Sequence, residues 1–195
     1  MKKALFLASL LALCLPLAAS AQEVAPKVEI FGGYSYLRAD TGNTGLDAIN
    51  AHGFNTSLAG NITKRIGIVG EFSRFTISES FTDPILGGIN VNSNVLTYLF
   101  GPRVTLHRGK VEPFAHALFG VAYATADASI QGQGIPDNVE GVAFAYALGG
   151  GVDVKVHKNL AIRVGQVDYL AARADGDTIG NFRFSVGIVL RLGNR

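Results

Sequence analysis

Between residues 182 and 192 this chain alternates with a period of two. Phe182, Phe184, Val186, Ile188, Leu190 and Leu192 fill the even positions, while the odd ones carry Arg183, Ser185, Gly187 and Arg191, with Val189 the exception. A two-residue period is a β-strand with two unlike faces. The same alternation recurs from about residue 27 onward. A soluble sandwich would place the apolar set inside, whereas a membrane-crossing barrel places it against lipid and turns the arginines into its lumen. The rest of the chain decides between them.

The first residues narrow the compartment. Met1-Lys2-Lys3 precedes an apolar run from Ala4 to Ala18 and then Ala19-Ser20-Ala21, the charged, apolar and small-residue succession of a secretory leader. The run is too short for a spanning helix, so cleavage is expected after Ala21, leaving residues 22–195 as one domain. The single cysteine, Cys14, leaves with the leader, and the mature protein has no thiol for a disulfide or a Cys-bound metal. Losing Lys2 and Lys3 leaves 15 basic against 15 acidic residues, so charge gives no reason to expect a nucleic-acid partner. No later stretch is long and apolar enough for a membrane helix. If the chain crosses a membrane, it does so with strands.

Turn chemistry divides the chain into eight expected strands, at about Lys27–Arg38, Gly53–Thr63, Ile66–Thr76, Asn92–Thr105, Val111–Ala124, Val142–Lys155, Leu160–Ala171 and Asn181–Leu192. Tilted strands of ~9–11 residues span a bilayer, and soluble strands are more often ~5–6. The connections alternate in length. Those after the second, fourth and sixth strands are short and basic, with Lys64, Arg65, Arg108, Lys110 and Lys158. The others are long and acidic, with Asp40, Asp47, Glu79, Asp83, Asp127, Asp137, Glu140, Asp175 and Asp177. Short turns at one end and long loops at the other match outer-membrane barrels, with both termini on the periplasmic side. No loop has the spacing of a dedicated calcium site.

Parity assigns the faces. One collects Ile30, Tyr34, Phe54, Leu58, Ile68, Phe100, Phe119, Leu148 and Ile162 among others; the opposite one collects Glu29, Ser35, Asn55, Glu71, Ser73, Arg103, Glu112, His116, Asp153, Arg163 and Arg183. An eight-stranded barrel has an interior just wide enough to be filled by side chains, so the larger apolar set belongs outside. Tyr34, Tyr36, Phe75, Tyr123, Tyr169 and Phe182 are expected to form an aromatic girdle towards the loops. In the seventh strand Gln166 and Asp168 fall on the apolar parity. This implies either a bulge near Gly165 that turns them inward or a strand that has already left the bilayer.

In this layout the chain resembles the small OmpA/OmpX-like transmembrane barrels of the outer membrane, over about residues 24–195. The resemblance implies an all-β, eight-stranded, antiparallel up-and-down barrel. It also implies recognition by the barrel-assembly machinery through a closing signal of the form polar-x-Gly-x-x-apolar-x-aromatic, whose places are held here by Ser185, Gly187, Leu190 and Leu192. Leu192 stands where the aromatic is usual, and Gly193-Asn194-Arg195 extends past it. Outer-membrane lipid and lipopolysaccharide are the surroundings such a barrel meets.

Catalysis finds little support. His116 is the one histidine expected in a strand at bilayer depth, and no serine stands two residues away as in barrel deacylases. No cofactor or metal is expected. Gly149-Gly150-Gly151 is read as close backbone packing rather than a nucleotide loop, since no helix follows. The expected role is therefore structural, or interaction at the surface through loops whose partner the residues do not name. The lumen is expected to be closed by ion pairs among Glu29, Glu71, Arg103, Glu112, Asp153, Arg163, Arg183 and Arg191: Arg103 beside Glu112 and Glu71, Asp153 beside Arg163, Arg191 beside Glu29, and Arg183 further up towards the loops. A narrow passive channel, a lipid-modifying barrel enzyme and a soluble lipocalin-type barrel are the alternatives. The last would need an apolar interior.

Overall fold

The computed structural model describes residues 25–39, 49–83, 87–107, 109–130, 133–134, 139–174 and 177–194. The expected leader over residues 1–21 lies outside them, as do the side chains of the acidic loop residues. The described chain is all strand and turn: β1 Pro26–Ala39, β2 Ile49–Asn61, β3 Ile66–Asp83, β4 Gly87–Thr105, β5 Val111–Ile130, β6 Gln133–Gly134, β7 Val139–His157, β8 Leu160–Ala174 and β9 Asp177–Asn194. Every pairing is antiparallel. The order β4-β3-β2-β1-β9-β8-β7-β5 is closed by pairing of β4 with β5, while β6 touches only the far end of β5. Eight strands thus form the wall, and no sheet edge remains for lipid to meet.

The strands run further at the loop end than the alternation suggests. β3 and β4 stay in register from Ile77↔Ser93 out to Asp83↔Gly87, and β5 continues to Ile130. In Ser78-Glu79-Ser80 and Asn92-Ser93-Asn94 both faces are polar, so no periodicity marks the strand. At the other end the turns are tight. Thr63 Oγ1 accepts hydrogen bonds from the Arg65 and Ile66 amides at 3.2 and 2.9 Å and so holds the Lys64–Arg65 corner.

The faces separate as parity requires. Ile30, Leu58, Phe100, Phe119, Leu148, Ile162 and Leu190 are exposed on the outside, and Glu29, Asn55, Glu71, Arg103, Glu112, Asp153, Arg163 and Arg183 are buried inside. The interior, however, is of two kinds. A polar part occupies the turn end and middle depth. Towards the loops an apolar cap of Leu37, Ala51, Phe75, Leu118, Ala122, Ala145, Ala147 and Leu170 fills the bore, with Ile77, Val95 and Ala172 against it, and the same cluster reaches down through Leu99, level with Glu71, to Val69 and Ala59, the latter level with Glu29. Phe75 is therefore not in the girdle: its parity is inward, it is fully buried, and it fills the cap. Tyr34, Tyr123, Tyr169 and Phe182 do lie on the outer face.

β8 carries a bulge. Against β9, Arg163 is level with Gly187 but Gln166 with Ser185, so β8 spends one residue more than its partner. Val164 still faces outward, the extra residue inverts the parity, and Gln166 and Asp168 become buried while Val167 and Tyr169 take the outside.

Candidate functional site

The functional question in a barrel this narrow is what its lumen holds. The bulge places Asp168 directly across the ladder from Arg183 on β9. Arg183 Nε and Nη2 donate to Asp168 Oδ2 at 2.9 and 2.6 Å, and Nη1 reaches Glu71 Oε1 at 2.6 Å and Ser73 Oγ at 3.2 Å. His116 Nε2 lies 2.7 Å from Asp168 Oδ1, and Gln166 Nε2 donates to Oδ2 at 2.7 Å. Asn55 Nδ2 donates to the second oxygen of Glu71 at 3.2 Å. One arginine thus bridges two carboxylates drawn from opposite walls.

The chain of contacts runs on towards the turns. Gln166 Oε1 accepts from Arg163 Nη1 at 2.7 Å, and Arg163 grips Asp153 with two bonds, at 2.8 and 3.1 Å. This fork geometry is the stronger form of the pair. Asp153 also lies 3.6 Å from Arg103, whose Nη2 is 2.6 Å from Glu29 and whose Nε donates to Thr105 Oγ1 at 3.0 Å. Glu29 is 3.5 Å from Arg191 Nε, and Arg191 Nη2 pairs with Glu112. Glu112 ends the chain between Lys155 Nζ at 2.6 Å and His107 Nδ1 at 2.7 Å. Glu29, Glu71, Glu112, Asp153 and Asp168 are matched by Arg103, Arg163, Arg183, Arg191 and Lys155, so with both histidines neutral the relay carries no net charge. An unmatched charge here would be costly in so little water.

Aromatic rings flank the guanidinium groups. The Arg163 guanidinium carbon stands 4.1 Å from the Phe31 ring centroid and 4.3 Å from that of Phe114, and Arg103 is 4.6 Å from Phe114. Desolvated cation–π contacts of this kind are worth about 2 kcal/mol each. Room for them comes from glycines. Gly33 and Gly187 are level on β1 and β9, and a Cβ on either would meet the Phe31 ring. A Cβ on Gly149 would strike the Asp168 carboxylate, and one on Gly151 the Phe114 ring. The glycine run of β7 is thus a recess in the wall.

Several expected partners change. Arg103 meets neither Glu112 nor Glu71, because it is level with His116 and its side chain crosses the lumen to Glu29 and Asp153. Glu112 is level with another carboxylate, Asp153, and takes its cations from Arg191, Lys155 and His107. Arg183 lies at the loop-side end of the relay, as expected, level with Leu37 and bridging Glu71 and Asp168. Asp168 and Gln166, which the bulge turns inward, join the relay outside the expected set of ion pairs, as do Lys155 and His107; His107 is a turn residue by sequence, yet it is buried. His52 lies in β2 on the outer face beside Tyr34. On β9, Ser185 faces inward and shares a hydrogen bond of 2.6 Å with Ser35, while Leu190 and Leu192 face out.

A closed antiparallel wall, apolar outside and charged inside, defines a transmembrane β-barrel of the outer-membrane type. The chain belongs to the outer membrane protein beta-barrel domain family, whose model matches residues 5–191. Its place is the outer membrane. Among solved structures it is similar to Ail, the attachment invasion locus protein of Yersinia pestis, with a TM-score of 0.57, 21% identity, and coverage of 85% of this chain and 99% of that one. It is also similar to Neisserial surface protein A, with a TM-score of 0.58, 11% identity, and coverage of 88% and 100%. OprG from Pseudomonas aeruginosa gives 0.52, 12%, and 88% and 98%. These likenesses concern the fold. No curated protein is significantly similar in sequence.

Proposed function

We propose that this is a monomeric, non-enzymatic outer-membrane barrel with a closed lumen, serving envelope structure or surface interaction through its loops. The observation that carries the reading is the relay of matched charges beneath an apolar cap. Ions entering from the loops would first have to cross Leu37, Phe75, Leu118 and Leu170, and then break ion pairs to go further. Against catalysis stands the use made of His116. Its Nε2 is committed to Asp168, Asp168 is committed to Arg183, and no hydroxyl bonds to His116 among the described residues. A general base needs a nucleophile within hydrogen-bond reach. Cleavage after Ala21, assembly through Ser185, Gly187, Leu190 and Leu192, and contact with lipopolysaccharide belong to the same reading. Planar-bilayer recording tests it: the purified protein is expected to give no steady conductance, and a large steady conductance would replace this reading with the channel.

A further inference from the structure

Among the described side chains every carboxylate lies inside the lumen, and every exposed charge is a cation. Towards the loop end Arg38 and Arg173 stand close in sequence to Asp40, Asp175 and Asp177, and Arg74 donates to Asn94 at 3.3 Å on the outer face. The turn end has no such balance. Its three turns, residues 62–66, 106–111 and 156–160, contain Lys64, Arg65, Arg108, Lys110 and Lys158 and no acidic residue, and Lys27 is exposed beside them at the start of β1. The cations that do find carboxylates here, Lys155 and Arg191, point inward to Glu112. Lys27, Lys64, Arg65, Lys110 and Lys158 have no carboxylate partner among the described residues.

Their depth is set by the apolar face. Along the outside of β4 the residues are Leu96, Tyr98, Phe100, Pro102 and Val104, followed by Leu106 just past the strand. Ten residue steps of roughly 3.3 Å at a tilt of ~40° give about 25 Å, the height of the apolar band of such barrels. The band is used up at Leu106, immediately before the turn. The other turns repeat this: exposed Ile62 and Ile66 bracket Lys64–Arg65, and exposed Val156 precedes Lys158. No polar collar separates hydrocarbon from cation, so the basic turns lie in the headgroup layer of the periplasmic leaflet.

We propose that the basic turns form a ring that selects anionic phospholipid, of phosphatidylglycerol type, as the boundary lipid of the periplasmic leaflet. Each turn combines apolar side chains for the acyl chains with lysine or arginine at phosphate level, where a basic residue attracts anionic lipid within a Debye length. The ring requires only that the barrel spans the membrane, not that its lumen is closed.

The test is lipid selectivity read by electron spin resonance, with spin-labelled phosphatidylglycerol and phosphatidylcholine added to the full protein reconstituted in phosphatidylcholine bilayers. Phosphatidylglycerol is expected to be favoured at the protein boundary by at least about twofold at low salt, and equally with phosphatidylcholine at 1 M salt, where screening acts within ~3 Å. The variant K64Q/R65Q/K110Q/K158Q should lose the preference, and the loop-end variant R38Q/R74Q should keep it. Heat-modifiable gel migration checks that each is folded; if the fourfold variant is not, K64Q/R65Q and K110Q/K158Q are each expected to remove part of the preference. Undiminished selectivity in the folded turn variants, or its loss in R38Q/R74Q instead, overturns the proposal.

Discussion

The lower and upper parts of the lumen fill the same bore by different physics. Near the turns and at middle depth, Glu71, Arg183, Asp168, Arg163, Asp153, Arg103, Glu29, Arg191 and Glu112 are joined by contacts whose direction matters. Towards the loops, Leu37, Phe75, Leu118 and Leu170 are held among alanines by shape alone. An apolar cap tolerates exchange among side chains of similar volume. A charge relay does not, since each member is satisfied by one or two particular atoms, and losing one strands the others. The lower part therefore specifies which strands sit opposite one another, and the upper part fills the bore by volume.

Breaking the relay where one arginine bridges two buried carboxylates should have the largest effect. Arg183→Met leaves Glu71 and Asp168 without their arginine and is expected to cost about 3–5 kcal/mol in urea titrations in liposomes. Adding Glu71→Gln and Asp168→Asn should recover much of that loss, which separate, non-interacting sites would not do. In the cap, Leu118→Ala should cost about 2–5 kcal/mol through the cavity it leaves, and Leu118→Met far less, with no corresponding rescue by a second change. An equal loss for both Leu118 variants would mean that the cap is as particular as the relay. Outside the bore, Phe100→Arg at mid-membrane should cost about 2–4 kcal/mol, whereas Leu106→Arg at the lower edge should cost ~0–1 kcal/mol. That gradient also checks the depth assigned to the turns.

Much of this was legible in the residues, and what was not has definite causes. Parity assigns Glu29, Arg103, Asp153 and Arg183 to the inside because a strand has only two faces. It says nothing of partners, because strand tilt sets side chains several residues apart in the ladder at one height and lets long ones cross the bore, as Arg103 does to Glu29. The bulge at Val164–Gly165 could be inferred from Gln166 and Asp168 on the wrong parity, but its consequence, the Asp168–Arg183 pair, depends on the neighbouring registers. The cap was hidden by residue type: alanines and leucines on the inward parity look like ordinary strand residues, and Phe75 looks like a girdle aromatic. His107 gave no signal at all, since nothing in a turn sequence says that a histidine folds back under the barrel.

The position of the arginines also orders events in time. Two of the four, Arg183 and Arg191, lie on β9, which follows the other wall strands in chain order, and Glu29 lies on β1, which precedes them. Until β9 docks, Glu71, Asp168 and Glu112 face the bore without their guanidinium partners. A half-formed barrel would carry those charges into the membrane bare or hydrated. Closure of the wall between β1 and β9 is thus also the step that brings those carboxylates their arginines.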